Sequence, residues 1–121
     1  MALKISNNRA VKTERVYNKL VRDKIPDIIK KNNEECIITT LNEEEYKKAL
    51  EDKLVEELNE VLESTGNNRI EELSDMIEVI TSLAKLEGKT LNDVIEASSK
   101  KKEKRGGFDN KIFLLKVTTK E

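Results

Sequence analysis

Residues 53–75 read KLVEELNEVLESTGNNRIEELSD, and they contain two apolar periodic segments joined by a polar turn. On both sides of the turn, apolar side chains recur every three or four residues, which is the spacing of one face of an α-helix. Gly66 and the two asparagines after it are typical turn residues. The apolar positions are Leu50, Leu54, Leu58, Val61 and Leu62 before the turn and Ile70, Leu73, Ile77, Ile80 and Ala84 after it. The stretch therefore predicts two amphipathic helices, and the short turn favours antiparallel neighbours.

Capping pairs predict where three long helices begin. In each pair a polar residue is followed three positions later by an acidic one, so that each side chain can accept a hydrogen bond from the other residue's backbone N–H. The pairs are Asn42 with Glu45, Asn68 with Glu71, and Thr90 with Asp93. The helices that they open are predicted to end near Ser64, Gly88 and Gly106.

Three shorter segments complete the secondary structure. Proline is favoured in the first turn of a helix, so a short helix is predicted from Pro26 to about Asn32. The β-branched segments 36–41 and 112–119 could form short peripheral strands, paired with each other or apart.

The length of the chain, 121 residues, favours one domain. Residues 1–15 are polar and aperiodic, and we predict that they form a flexible N-terminal arm. Residues 16–121 are then a single helical domain. The predicted fold class is all-α, an antiparallel helical bundle.

Composition excludes several classes of partner and chemistry. The 23 basic and 24 acidic side chains leave a net charge of −1, which gives no electrostatic reason to expect a nucleic acid polymer or a membrane surface as partner. No stretch has about 18 consecutive apolar residues, the first 15 residues lack the apolar core of a signal peptide, and Cys36 is the one cysteine. These features predict a cytoplasmic protein.

The absence of histidine excludes histidine-based catalytic triads, the usual catalytic zinc sites and di-iron bundles that need histidine ligands. A metal ion would have to be held mainly by oxygen. Oxygen ligands favour Mg²⁺ or Mn²⁺ over softer ions.

Helical geometry places some carboxylates against the apolar stripes. At about 100° per residue from Leu50, Glu57 falls at about −20°, beside a stripe that spans about 0° to 140°. Glu60 and Glu56 lie further round, at about −80° and −120°.

On the next helix, Glu72 projects between Val79 and Leu83 in the apolar arc, and Asp75 lies at the edge of that arc. A carboxylate in a core stripe has to be paired or bound to a cation, because an unpaired buried charge is costly. A solvated helix face does not predict this placement.

Two interpretations of the carboxylates remain open at this point. Acidic pairs at i, i+3 on adjacent antiparallel helices can bring four carboxylates together around a hard divalent cation. An ion pair between helices, for example one that uses Lys53 or Arg69, explains the same pattern.

A basic stripe on the third long helix, formed by Lys101, Lys102 and Arg105, continues its inward face. Cations also suit the C-terminus of any helix, because they offset its dipole. If the bundle brings this end beside the carboxylates, the same cations would meet phosphates.

The ordered pair of acidic motifs resembles the E-E-x-x-E…E-x-x-D signature of the MazG-like all-α nucleoside triphosphate pyrophosphatase superfamily. In this chain the motifs are Glu56-Glu57-x-x-Glu60 and Glu72-x-x-Asp75. Residues 17–26, YNKLVRDKIP, look like the opening of the phosphoribosyl-ATP pyrophosphohydrolase-like branch, and residues 104–108, KRGGF, resemble a closing segment of that branch. The resemblance covers about residues 17–113.

The resemblance implies cleavage of a nucleotide between its α and β phosphates, with Mg²⁺ as cofactor or Mn²⁺ in its place, to give the monophosphate and pyrophosphate. Glu57, Glu60, Glu72 and Asp75 would be the metal ligands. Glu56 and Glu57 would be the catalytic residues, with Glu56 either a further ligand or the group that orients and deprotonates the attacking water.

The resemblance also supplies candidates for substrate binding and assembly. The candidates for contacts to base, sugar or phosphate are Asn18, Lys19, Arg22, Lys24, Lys101 and Arg105. For each of them, a structural salt bridge or an ordinary exposed position is the alternative. The superfamily likeness implies a homodimer or homotetramer.

Two other functions are compatible with the same residues. One is hydrolysis of phosphoribosyl-ATP, which shares the chemistry but not the general nucleotide substrate. The other is a non-catalytic helical module that binds nucleotide or a partner and keeps the acidic site as structure. Removal of unwanted nucleotides is the predicted role.

Overall fold

The computed structural model describes residues 13–120, and within this range the secondary structure is entirely helical. The elements are α1 (Ile25–Lys31), α2 (Glu43–Leu62), α3 (Gly66–Leu86) and α4 (Leu91–Arg105). The predicted all-α class is confirmed. Most of the arm predicted over residues 1–15 lies outside the described residues.

The predicted capping pairs at the starts of α2 and α4 are confirmed. The Asn42 N–H donates to Glu45 Oε1 at 3.1 Å, and the Glu45 N–H donates to Asn42 Oδ1 at 2.8 Å. The same reciprocal bonds join Thr90 and Asp93 at 2.8 Å and 3.2 Å. Each box satisfies two backbone donors that helix geometry leaves without a partner, so each fixes a helix start.

The predicted cap at the start of α3 is wrong. The helix begins at Gly66, with Thr65 as the N-cap residue, so Asn68 and Glu71 both lie inside it. The Arg69 N–H donates to the Thr65 carbonyl at 3.3 Å, and Arg69 Nε donates to the Ser64 carbonyl at 2.8 Å. These bonds start α3 at Gly66, earlier than predicted. The turn after α2 is therefore shorter than the one predicted from Gly66 and the two asparagines that follow it.

The end of α3 is fixed by a Schellman motif. Gly88, with φ of +73°, donates its N–H to the Lys85 carbonyl at 3.0 Å. The next residue, Lys89, donates to the Ala84 carbonyl at 2.9 Å. This left-handed position favours glycine, and it reverses the chain toward α4, which contacts α3.

The strands predicted over 36–41 and 112–119 are wrong, since both segments are irregular. Neither makes a backbone hydrogen bond to another described residue. A β-branched composition favours a strand only when a neighbouring strand supplies hydrogen-bond partners. The described part of the chain contains no such neighbouring strand.

The chain divides into two compact units, Met1–Ala49 and Leu50–Glu121. The first contains α1 and the opening of α2. The second contains the rest of α2 together with α3 and α4. The single domain predicted over residues 16–121 stays a prediction.

Few apolar side chains of the described residues are fully buried. Leu50, Val79 and Ala84 form the buried apolar set, with 2%, 6% and 8% of their surface exposed. Many larger apolar side chains remain in contact with solvent on all four helices and in both irregular segments. None of the helices in residues 13–120 is long and apolar enough to cross a membrane.

Candidate metal centre

Helices α2 and α3 bring three carboxylates together. One oxygen from each of Glu57, Glu72 and Asp75 lies within 4.8 Å of the others. Glu57 comes from the second turn from the end of α2, and the other two side chains are one turn apart in the first half of α3. The i, i+3 spacing puts Glu72 and Asp75 on the same side of their helix, so both can reach toward Glu57.

Glu57 is a buried charged residue, with 6% of its surface exposed. Its place on the helix accounts for this, because it lies on the same side of α2 as the buried Leu50. Burial raises the pKa of the Glu57 carboxyl, since desolvation disfavours the charged form. The Lys53 ammonium lowers the pKa, and the neighbouring charge of Asp75 raises it again.

Glu60 lies beside Glu72, outside the three-way group. The pKa of Glu72 is raised first by desolvation, then by a hydrogen bond with the Glu60 carboxyl, and then by the charges of Glu60 and Asp75. Four acidic side chains thus crowd one region of α2 and α3, and a bound cation would offset the repulsion between their charges.

Two ion pairs of Lys53 beside this group lie within α2. Lys53 Nζ is 2.7 Å from Glu56 Oε2 and 3.7 Å from Glu57 Oε1. The spacing of i, i+3 and i, i+4 on one helix accounts for both contacts. Arg69 Nε is bonded to the Ser64 carbonyl instead. Lys53 thus pairs with two carboxylates of its own helix, and the ion pair between helices stays a prediction.

The chemistry of the donor set fits a hard divalent cation. All donors are carboxylate oxygens, which suit Mg²⁺, Mn²⁺ or Ca²⁺ better than softer ions. With bond lengths of about 2.1 Å, opposite oxygens of an octahedral Mg²⁺ lie about 4.2 Å apart and adjacent ones about 3.0 Å apart. The three oxygens lie within 4.8 Å of one another, so side-chain movements would have to bring them closer together to bind one ion.

The predicted substrate residues of the opening segment lie in the first unit. Asn18, Lys19, Arg22 and Lys24 are all exposed. Asn18 has a left-handed backbone, with φ of 45°, and Lys19 Nζ lies 5.8 Å from the centroid of the Tyr17 ring. Lys24 is the N-cap residue of α1. These positions form an exposed polar turn that leads into a short helix.

The predicted basic residues of the second unit lie at the end of α4. Lys101 and Arg105 are exposed, and neither side chain makes a hydrogen bond or ion pair with another described residue. Gly106 ends the helix with φ of +84°. The basic end of α4 is consistent with the stabilisation of a helix C-terminus by cations.

The sequence suggested Lys53 only as an ion-pair partner between helices, and its ion pairs within α2 were missed. Its contacts with Glu56 and Glu57 follow from spacing along one helix, which the sequence already contains. Counting i, i+3 and i, i+4 partners for every carboxylate of the motif would have found it.

Comparison with protein-family models, with curated proteins and with solved structures finds no match to this chain. The superfamily likeness of the acidic motifs stays a prediction. A functional proposal therefore depends on the residues themselves and on how α2 and α3 arrange them.

Proposed function

We propose that this protein is a Mg²⁺-dependent nucleoside triphosphate pyrophosphohydrolase of the MazG-like all-α type, which cleaves the α–β phosphate bond. The observation that carries the proposal is the group of oxygens from Glu57, Glu72 and Asp75 within 4.8 Å of one another. These residues occupy positions of the E-E-x-x-E…E-x-x-D pattern, and the chain contains no histidine that would suggest another metal chemistry.

In this proposal the metal is held by Glu57, Glu60, Glu72 and Asp75. Mg²⁺ bound there, or Mn²⁺ in its place, supplies charge neutralisation for the phosphates and a lower pKa for a bound water. Glu56 orients the attacking water and accepts its proton, and Lys53 holds the Glu56 carboxylate through the 2.7 Å ion pair. The raised pKa of Glu57 supports this arrangement, because a nearby cation offsets the cost of ionising a buried carboxyl.

In this proposal, exposed cationic and polar side chains bind the nucleotide. The proposed contacts to base, sugar and phosphates are Asn18, Lys19, Arg22, Lys24, Lys101 and Arg105. Cations at such positions neutralise phosphate charge that a metal does not reach. The proposed biological role is the removal of unwanted nucleotides from the cytoplasmic pool.

The working form is proposed to be a homodimer or homotetramer. The support comes from burial, because three apolar side chains are buried among the described residues while many larger ones are exposed. A small domain with so little buried apolar surface has little to offset the entropy of folding. A second subunit would supply the missing contacts.

The test is release of pyrophosphate from a panel of canonical and modified nucleoside triphosphates with Mg²⁺ present. Glu72→Gln removes one carboxylate from the group and should lower kcat by at least about 100-fold, the size of effect expected when a group that stabilises developing charge is removed. Glu71→Gln changes the neighbouring exposed residue in the same way and should leave the rate unchanged.

Two other outcomes separate the alternatives. Hydrolysis of phosphoribosyl-ATP alone, with rescue of a strain that lacks this step, would assign the protein to that narrower reaction. Nucleotide or metal binding by calorimetry without pyrophosphate release would indicate a non-catalytic helical module. No release and no metal binding would contradict the proposed activity and its metal site together.

A further inference from the structure

The C-terminal segment 108–117 is apolar and exposed along its length. Its large apolar side chains are Phe108, Ile112, Phe113, Leu114, Leu115 and Val117. Phe113 and Leu115, for example, have 85% and 86% of their surface exposed. Beyond the turn bond from the Lys111 N–H to the Phe108 carbonyl, the segment makes no backbone hydrogen bond to another described residue. Its apolar surface and its backbone groups are both available for docking.

Helices α2 and α3 each carry an exposed apolar stripe. The stripe on α2 is Val55, Leu58 and Leu62, and that on α3 is Ile70, Leu73 and Ile77. Both follow the spacing i, i+3, i+7, so each set shares one face of its helix. The α2–α3 stripes, as we call these six residues, lie in the same unit as segment 108–117.

The exposed apolar surface of this unit is about what a stable subunit interface needs. Twelve of the large exposed apolar side chains lie in the segment or on the α2–α3 stripes. At roughly 60–120 Å² each when fully exposed, and about 70% exposed on average, these twelve offer on the order of 500–1,000 Å². A stable protein interface buries about 800 Å² on each partner.

Charge favours contact between the segment and the two helices. Helix α2 carries eight acidic and three basic side chains, and α3 carries four acidic and two basic ones. The two helices together therefore have a net charge of −7. Segment 108–117 carries Lys111 and Lys116 against Asp109, a net charge of +1. An apolar basic segment and an apolar acidic helix pair are complementary in both respects.

We propose that segment 108–117 of each chain docks on the α2–α3 stripes of a second copy, so that two chains exchange their C-terminal arms. A two-fold symmetric exchange covers both sets of stripes and both arms at once, as a closed dimer requires. The arm lies exposed in the single chain, so a partner that offers the complementary surface is the occupant that the charges and area support. The proposal does not rest on the nucleotide chemistry.

The first experiment measures the dimer by sedimentation equilibrium of the full chain. Leu115→Glu should weaken dimerisation, because the loss of one buried leucine corresponds to about 10- to 150-fold in affinity. Two arms are lost in each dimer, so we expect at least about 100-fold. Thr118→Glu adds the same charge at the exposed polar position just after the segment and should change the affinity little. Circular dichroism should show the same helix content in both variants.

The second experiment identifies which chain the arm contacts. In a Cys36→Ser background, one tagged chain carries Leu73→Cys and a differently tagged chain carries Leu114→Cys. Mixing and mild oxidation should give a disulfide between the two tags. A third chain that carries both substitutions should link mainly between chains at micromolar concentration.

Three results would overturn the proposal. They are a monomer at every concentration of the full chain, a Leu115→Glu variant that dimerises as tightly as the Thr118→Glu control, or a disulfide confined to single chains that carry both cysteines. The last result would show that the arm folds back on its own helices.

Discussion

Glu57 is the residue at which burial and charge oppose each other most directly. It is 6% exposed, and its ionised form is disfavoured by desolvation and by the carboxylates around it. A position chosen for stability alone would carry an apolar or neutral side chain. The carboxyl group there is understandable if its charge is needed for binding a cation.

Glu57→Gln should therefore stabilise the metal-free protein. The raised pKa means that the fold opposes ionisation, so the ionised carboxylate costs stability at neutral pH and a neutral amide of the same size removes that cost. We expect a rise of a few degrees in Tm in EDTA, and loss of the further rise that Mg²⁺ gives the unchanged protein. Thermal melts with and without Mg²⁺ measure both effects.

The control for this variant is Glu51→Gln, which makes the same change at an exposed position of α2. It should leave the Tm in EDTA nearly unchanged and keep the response to Mg²⁺. A lower Tm for Glu57→Gln in EDTA would contradict the prediction, since it would show that the pair with Lys53 outweighs the cost of burial.

At the scale of single elements, the start and end of a helix each depend on one local motif. The capping box of α4 lowers the pKa of the Asp93 carboxyl, first through the bond from the Thr90 backbone N–H and then through the Thr90 side chain. The Schellman motif that ends α3 depends on the positive φ of Gly88.

The contribution of Asp93 to stability should disappear in acid. Because its pKa is lowered in the folded state, the Asp93 carboxyl binds a proton less tightly there than in the unfolded chain. Its contribution to stability is therefore fully present above pH 3.8, and it is lost as the pH falls through the pKa of the folded state. The difference in Tm between the unchanged protein and Asp93→Ala should be largest near neutral pH and vanish in strong acid. Glu96→Ala, an exposed change on the same helix, controls for helix propensity.

Gly88→Ala should lower the free energy of unfolding by about 1–2 kcal/mol, the cost of a left-handed backbone for a residue with a Cβ. Apart from its chain neighbours, no atom of residues 13–120 lies within 4 Å of the added Cβ, so the cost comes from the backbone. Gly107→Ala is the matched control, because its Cβ would meet only Lys102 Cε at 3.6 Å, an ordinary contact. Urea unfolding compares the two, and equal midpoints would contradict the assignment.

At the scale of the whole molecule, the main feature is the contrast between the small buried apolar set and the many exposed apolar side chains. Leu50, Val79 and Ala84 are buried among residues 13–120, whereas Phe108 is 97% exposed. Apolar burial is the dominant favourable term in folding. Stability should therefore depend on association between chains.

The Tm of the full chain should rise with protein concentration. If folding and association are coupled, dilution favours the unfolded monomer by mass action. Melts followed over a 100-fold range of concentration should show a steady increase, and the increase should be weaker for Leu115→Glu than for Thr118→Glu. A Tm that is independent of concentration in the unchanged protein would contradict this coupling.

The sequence was sufficient for features that depend on neighbours along the chain. The apolar period predicted α2, α3 and α4, and the capping pairs at Asn42 and Thr90 were correct, because their partners lie three residues away. The same period placed Glu57 beside the apolar stripe of its helix, and Glu57 is buried, whereas Glu72, predicted within the apolar arc of α3, is half-buried. Local geometry repeats reliably, so these features needed no knowledge of the fold.

Features that depend on distant partners were decided by the tertiary structure. The β-branched segment 36–41 stays irregular because a strand needs another strand beside it, whatever its own preference. Convergence of Glu57 with Glu72 and Asp75, with Glu60 beside Glu72, depends on how two helices approach each other. A helical period gives each carboxylate a direction, but only the tertiary arrangement of α2 and α3 determines where those directions meet.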